Sequence, residues 1–204
     1  DVSPEMAALY LGKTFDVGEG ISIRYTERKL GEIIHIYGDA LDFAQRIYDR
    51  FFRDGKANAD FEISIDETAT PTTPAQHYFV AAELARRGIK PATVAPRFCG
   101  EFQKGIDYIG DLDQFDRELA VHAAIARRFG YKLSVHSGSD KFSVFSTVGR
   151  VTHCHVHVKT AGTNWLEAMR VVALRDPALT LQSPPRRSPP RGRRPGRRPW
   201  PGCS

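Results

Sequence analysis

No apolar stretch in this 204-residue chain comes near the roughly 20 residues that a membrane-spanning helix needs. The opening DVSPEMAALYLGK has no basic segment followed by an apolar one, so a signal peptide is not expected. Cysteine is sparse. Cys99, Cys154 and Cys203 are odd in number and show no paired spacing, which argues against a disulfide framework and against a CxxC zinc site. A soluble protein of the reducing cytoplasm, with no membrane partner, is the expectation. Phosphate-binding signatures are missing too: no GxGxxG follows a strand pattern and no GxxxxGK[ST] occurs, so dinucleotide and P-loop chemistry fall away, and GxSxG is absent as well.

Acid is lacking in one region. Residues 183–204 hold seven Arg, seven Pro and three Gly but no Asp or Glu, and removing those seven charges from the formal +5 leaves residues 1–182 at −2. The chain is therefore predicted to be a mildly acidic domain, residues 1–182, followed by a disordered basic Arg/Pro-rich tail, residues 183–204. A basic arm can bind nucleic acid nonspecifically, with an affinity that falls steeply with salt. This one carries a single aromatic, Trp200, and no recognition module, so nucleic acid is not the expected partner. Arg, Pro and Gly codons are G/C-rich, and the tail reads as a shifted frame in a high-GC gene.

What is present is a strand and helix alternation in a chain that is 41% hydrophobic, enough for one core. Apolar residues at helical spacing predict a long helix from about Glu27 to Arg53, bent at Gly38 and stopped by Asp54-Gly55. FEISID alternates as a strand, and Pro74 opens a helix that ends at Gly88. The unit repeats as strand TVAPRF, loop CGEFQKGIDYIGDL and a helix ending at Gly130. It repeats again as KLSVHSG with a short helix near Lys141 to Arg150, and then as CHVHVKTAG with a helix capped by Thr163. Four such units predict parallel strands with right-handed crossovers, an α/β fold.

One strand face would be apolar: Ile63 and Ile65, Val94, Leu133 and Val135, Val156 and Val158. The other would carry Glu62, Ser64, Asp66, Arg97, Lys132, Ser134, His136, His155, His157 and Lys159. An open sheet covered by helices on both sides wants both faces apolar, whereas polar residues at the C-terminal strand ends are what a barrel active site presents. The expected fold is thus part of a TIM-type (β/α)8 barrel, about four βα units, with two unpaired edges.

Candidate site residues follow from that face. His136 lies at a strand end before small residues, suited to a metal or to acid/base work, with a hydrogen-bonded core histidine as the plainer alternative. His153, His155 and His157 share strand parity and invite a zinc reading; alternatively the first two fall in a turn and His157 alone, beside Lys159, points into the site. Asp66 and Glu67 are adjacent carboxylates at a strand end, fit for acid/base work, for ligation or for ordering a loop. Arg97 would need an anion, either a carboxylate substrate or an internal acid such as Glu62 or Asp66. The long loop after the second strand offers Glu101, Gln103, Lys104 and Asp107.

The strings IDETATPTTPAQHYFVAAEL, APRFCGEFQKGIDYIGDL, KLSVHSGSDKFSVF and HVKTAGTNWLEAMRVVA, in that order over roughly residues 10–179, resemble the tagaturonate epimerase family. The resemblance implies a TIM-type barrel, a divalent metal cation, and C4 epimerisation that interconverts the ketohexuronates D-tagaturonate and D-fructuronate in hexuronate catabolism. It implies that Glu67 is the catalytic acid/base, with Asp66 as the alternative, and that Gln103 and His136 are metal ligands, with Glu101 as the alternative to Gln103. Arg97, Lys104, Asp140, Lys141, His157 and Lys159 are the substrate-binding candidates. The family's earlier barrel strands have no counterpart before Asp1, so a partial chain, inactive alone, is expected. A metal-dependent aldolase or isomerase acting on a related sugar acid is the alternative chemistry.

Overall fold

Ser3 accepts the amide of Met6 and starts α1 (Pro4–Tyr10), with Pro4 in the first turn, where its missing N–H is not needed. An antiparallel hairpin follows, β1 (Thr14–Gly18) and β2 (Ile21–Arg24). The structure, a computed structural model, describes residues 2–160 and 163–176, with the backbone alone over 163–168. The Arg/Pro-rich tail predicted to be disordered lies outside the described residues.

Thr26 caps α2 (Glu27–Phe51), whose buried face is Leu30, Ile33, Tyr37 and Leu41. The helix runs through Gly38, because one glycine in a long amphipathic helix costs only about 1 kcal/mol against the packing of that face. A 3₁₀ turn at Arg53–Gly55 then ends it, with Asp54 in the left-handed region. The four repeats follow as β3 (Glu62–Ile65), α3 (Pro74–Arg86), β4 (Thr93–Pro96), α4 (Leu112–Phe129), β5 (Lys132–Val135), α5 (Phe142–Thr152), β6 (Val156–Val158) and α6 (Thr163–Arg175). Thr163 is the first residue of α6 rather than its cap.

The strands form one parallel sheet in chain order, β3-β4-β5-β6. Its register puts Ile63 beside Val94, Val94 beside Leu133, and Leu133 beside Val156, one apolar row across all four strands. Val94 and Leu133 from this row are buried, as are Phe79, Leu84, Phe115, Leu119 and Ile125 of α3 and α4. The observed class is α/β with a parallel four-stranded sheet and helices α2 to α5 packed side by side.

The N-terminal elements dock on α3 through aromatic rings. Tyr10 lies 5.1 Å from Phe79 and 5.4 Å from Tyr25 between ring centroids, and Phe15 lies 5.3 Å from Tyr78. The Tyr10 hydroxyl donates to Glu83 at 2.8 Å, and that of Tyr25 to the Ala75 carbonyl at 2.8 Å. Glu83 is buried and also accepts from Arg86 at 2.8 Å. Burial raises its carboxyl pKa, but the bonds from Arg86 and Tyr10 and the charges of Arg86 and Arg87 outweigh this and hold it below the usual range.

Two histidines meet under the sheet. His77 and His122 are fully buried with their Nδ1 atoms 2.9 Å apart, and the Tyr131 hydroxyl lies 2.6 Å from His77 Nε2. Burial holds both rings neutral, His77 well below its ordinary value and His122 down to about 4.

Among the described residues β3 and β6 are the sheet's edges. Between β3 and α2 runs an apolar groove of about 300 Å³, lined by Tyr37, Leu41, Phe43, Ile47, Phe61 and Ile63 among others. Phe43 is 57% exposed.

Candidate active site

The apolar row faces the helices, so strand parity leaves Glu62, Ser64, Thr93, Ser134 and His157 on the opposite face of the sheet. Glu62 is the hub of that face. Its Oε2 accepts the Thr93 hydroxyl at 2.6 Å and lies 3.3 Å from His157 Nδ1, while its Oε1 lies 3.0 Å from His136 Nε2. Ser134 Oγ is 2.8 Å from the same nitrogen of His157. Partial burial raises the Glu62 pKa, but the bonds from Thr93, Ser134 and His136 win and lower it.

Asp66 carries the network to the C-terminal end of the sheet. It lies 2.8 Å from His136 Nδ1 and accepts the Ser64 hydroxyl. A carboxylate therefore faces each ring nitrogen of His136. A neutral imidazole has one N–H and can donate to only one of them.

Thr72 ties the next loop in place. Its amide donates to the Arg97 carbonyl at 2.8 Å, and its hydroxyl accepts the Arg97 amide at 2.9 Å. The Arg97 guanidinium donates to the Thr68 carbonyl, so its partner in the structure is this loop rather than Glu62 or Asp66.

The loop between β4 and α4 closes at its neck where Glu101 and Ile109 pair, N–H to carbonyl, at 2.8 and 3.3 Å. Gly100 sits there at φ +76, and a Cβ on it would overlap the Tyr108 ring, so the neck needs glycine twice over. Within the loop Gln103 Nε2 donates to Glu101 Oε2 at 2.6 Å. The strand end after β5 is equally tight: Ser137 and Asp140 adopt positive φ, and the Gly138 amide donates to the Lys159 carbonyl at 3.0 Å.

These pieces enclose a cavity of about 280 Å³ lined by Asp66, Arg97, Glu101, Gln103 and His136, with Phe98 and Phe102 as its apolar wall. The remaining candidates stand elsewhere. Glu67 and Lys104 are exposed on their loops and are not among the lining residues. His157 belongs to the Glu62 network further down the sheet face, and Lys159 is exposed while its backbone pairs with Val135 and Gly138. His153 is the left-handed C-cap of α5, and His155 lines a different cavity beside Arg127 and Tyr131, so the three alternate histidines do not converge. Lys141 is buried and bonded to three backbone carbonyls, which leaves it no proton for a substrate carboxylate; Asp140 stands near that ammonium.

Thr72 and Thr93 were not visible as site residues. Thr93 shares strand parity with Arg97, a usable signal; Thr72 acts through a loop contact that no local pattern encodes. His136 and Gln103 are donor types that divalent cations accept, and a carboxylate on the second nitrogen of a ligating imidazole is a common support. Among the described residues, however, no three His, Cys, Asp or Glu side chains stand together as a metal-holding group. The chain alone fits part of a coordination set.

A family profile for tagaturonate epimerase matches residues 1–182. The tagaturonate/fructuronate epimerase of Thermotoga maritima is 48% identical over 172 residues, which is 84% of this chain and 35% of that protein. The native crystal structure of fructuronate-tagaturonate epimerase UxaE from Cohnella laeviribosi is 56% identical and superposes with a TM-score of 0.80, over 86% of this chain and 36% of that one. A crystal structure of the same enzyme with two glycerols is 55% identical over 87% of this chain, again at a TM-score of 0.80. The chain thus spans little more than a third of the length of these relatives. With residues 1–182 matched by the family profile and 86% of the chain superposed on a solved relative, the chain belongs to the tagaturonate epimerase family.

Proposed function

We propose that the cavity between Asp66, Arg97, Gln103 and His136 is part of a site at which a ketohexuronate is inverted at C4, interconverting D-tagaturonate and D-fructuronate in cytoplasmic hexuronate catabolism. The observation that carries this is the convergence of a guanidinium, an imidazole bracketed by carboxylates, and a carboxamide on one small cavity at the strand ends of a family member. The four βα units are then part of a (β/α)8 barrel. In such barrels the C-terminal strand ends carry the chemistry.

Each residue has a role in this proposal. Arg97 binds the substrate carboxylate, a task suited to a planar guanidinium. Asp66 orients His136. Glu67, which no hydrogen bond ties down among the described residues, stands on the loop beside the cavity rather than in its lining. It takes the C4 hydroxyl proton as the C3–C4 bond breaks, the bonding pair passing into the enolate of the C2 ketone, and returns it when that bond re-forms on the opposite face of the C4 aldehyde. Gln103 would contribute one ligand to a divalent cation and His136 a second through Nε2, with Glu62 giving up its contact to that nitrogen and the rest of the set supplied from outside the described residues. When bound, that cation would polarise the C2 ketone.

The test is a titration of the chain with D-fructuronate followed by NMR of the His136 and Arg97 side chains, repeated with EDTA. Localised shifts at both residues are expected, weaker with EDTA. No shift at millimolar sugar acid removes the site. Assay of the chain supplemented with the remaining length of a relative then asks for conversion to D-tagaturonate.

A further inference from the structure

Lys141 has no solvent exposure, an uncommon state for a lysine. Its ammonium donates to the carbonyls of Gln103 at 2.6 Å, Ile106 at 2.5 Å and Ser139 at 2.9 Å. An ammonium has three protons and no lone pair, so these acceptors use its whole bonding capacity. Two of them lie in the β4–α4 loop, on either side of its tip. Burial pulls the Lys141 pKa down, and the nearby carboxylates of Asp107 and Asp140 oppose this in part. Asp107 also accepts the amide and hydroxyl of Ser143 at 3.1 and 2.9 Å, which pins the same loop to the start of α5.

We propose that Lys141 is a positioning residue that holds Gln103 in the cavity: by fixing the Gln103 and Ile106 carbonyls it sets where the Gln103 carboxamide stands beside Asp66, Arg97 and His136. The inference rests on the reading of that cavity as the reaction site. Bonds from a charged donor are roughly twice as strong as neutral ones, and three of them on one loop leave its backbone little freedom. With Nε2 of Gln103 given to Glu101, the side-chain oxygen is the end available to a ligand.

Lys141→Met keeps most of the volume and removes the donors; Lys141→Arg keeps the charge in a planar fork that fits three converging carbonyls less well. In Lys141→Met, hydrogen exchange of amides 102–107 is expected to rise roughly tenfold or more while β3 to β5 keep their protection. The Gln103 carboxamide NMR signal is expected to move, and Lys141→Arg to restore part of both. Unchanged exchange or an unmoved carboxamide signal overturns the proposal. Should Lys141→Met not fold, Lys141→Arg decides: a displaced carboxamide signal with an intact sheet supports the proposal, and a wild-type signal overturns it. Affinity for D-fructuronate adds an arm that a general structural role would not satisfy. Lys141→Met combined with Gln103→Ala should bind no more weakly than Gln103→Ala alone, and additive losses overturn action through Gln103. Wild-type protein that does not bind D-fructuronate removes the site reading, while the exchange and carboxamide arms still judge Lys141.

Discussion

Neighbouring carboxylates at the end of β3 have different surroundings: Asp66 is engaged by His136 and Ser64, and Glu67 is exposed on the loop beyond. Their substitutions should separate accordingly. On the proposed function, and in the chain supplemented with the remaining length of a relative, Glu67→Gln is expected to lower turnover of D-fructuronate about a hundredfold with affinity for an added divalent cation unchanged. Asp66→Asn should weaken that affinity about tenfold or more by loosening His136. Steady-state rates and metal titrations in parallel check this, and equal effects on both readouts would remove the distinction. The buried histidine pair makes a second prediction. A folded pKa of about 4 for His122 lies below the unfolded value near 6.5, so between those limits the unfolded chain binds more protons and stability falls as pH falls. His77, in contact with His122, acts in the same direction, so the pair loses stability together as pH falls. Urea midpoints should drop from pH 7 to 4.5, with a flatter slope in the His77→Phe, His122→Leu double variant.

The elements most legible in the sequence were those with a clean period. EISI alternates, and Glu62 to Ile65 is the strand; Pro74 and the capping pair Thr73 and Gln76 open α3 where expected. Elements before Glu27 escaped notice because TFDVG and ISIR are short, rich in turn residues, and stabilised by rings on distant α3. Of the site, strand parity exposed His136, Asp66 and Arg97. It could not show that Lys141 turns inward, since that depends on a loop some 35 residues away in sequence. The link between α1 and α3 is testable in isolation. Glu83→Ala should destabilise by about 3 kcal/mol in urea unfolding, because Arg86, Arg87 and Tyr10 lose a shared buried partner. Gly138→Ala should separate β5 from β6, since a Cβ there would overlap the Val158 side chain. Faster hydrogen exchange at Lys159, whose amide donates to Val135 across that junction, is the readout.

At the scale of the whole molecule the groove beside β3 dominates. A parallel strand whose outer edge is unpaired among the described residues, bordered by a groove in which Phe43 is exposed, is an open template for another chain. Phe43→Lys with Ile47→Lys is expected to lower light scattering of the concentrated protein without shifting its urea midpoint by more than about 1 kcal/mol. Scattering unchanged by the pair would show that this groove does not drive self-association. The sheet order has one more consequence. Since β3, β4, β5 and β6 lie side by side in the order in which the ribosome makes them, each of these strands after β3 finds its partner already built. Among the described strands none has to be inserted between two earlier ones. Such a sheet can grow by accretion during synthesis, its advancing edge always the most recently translated segment.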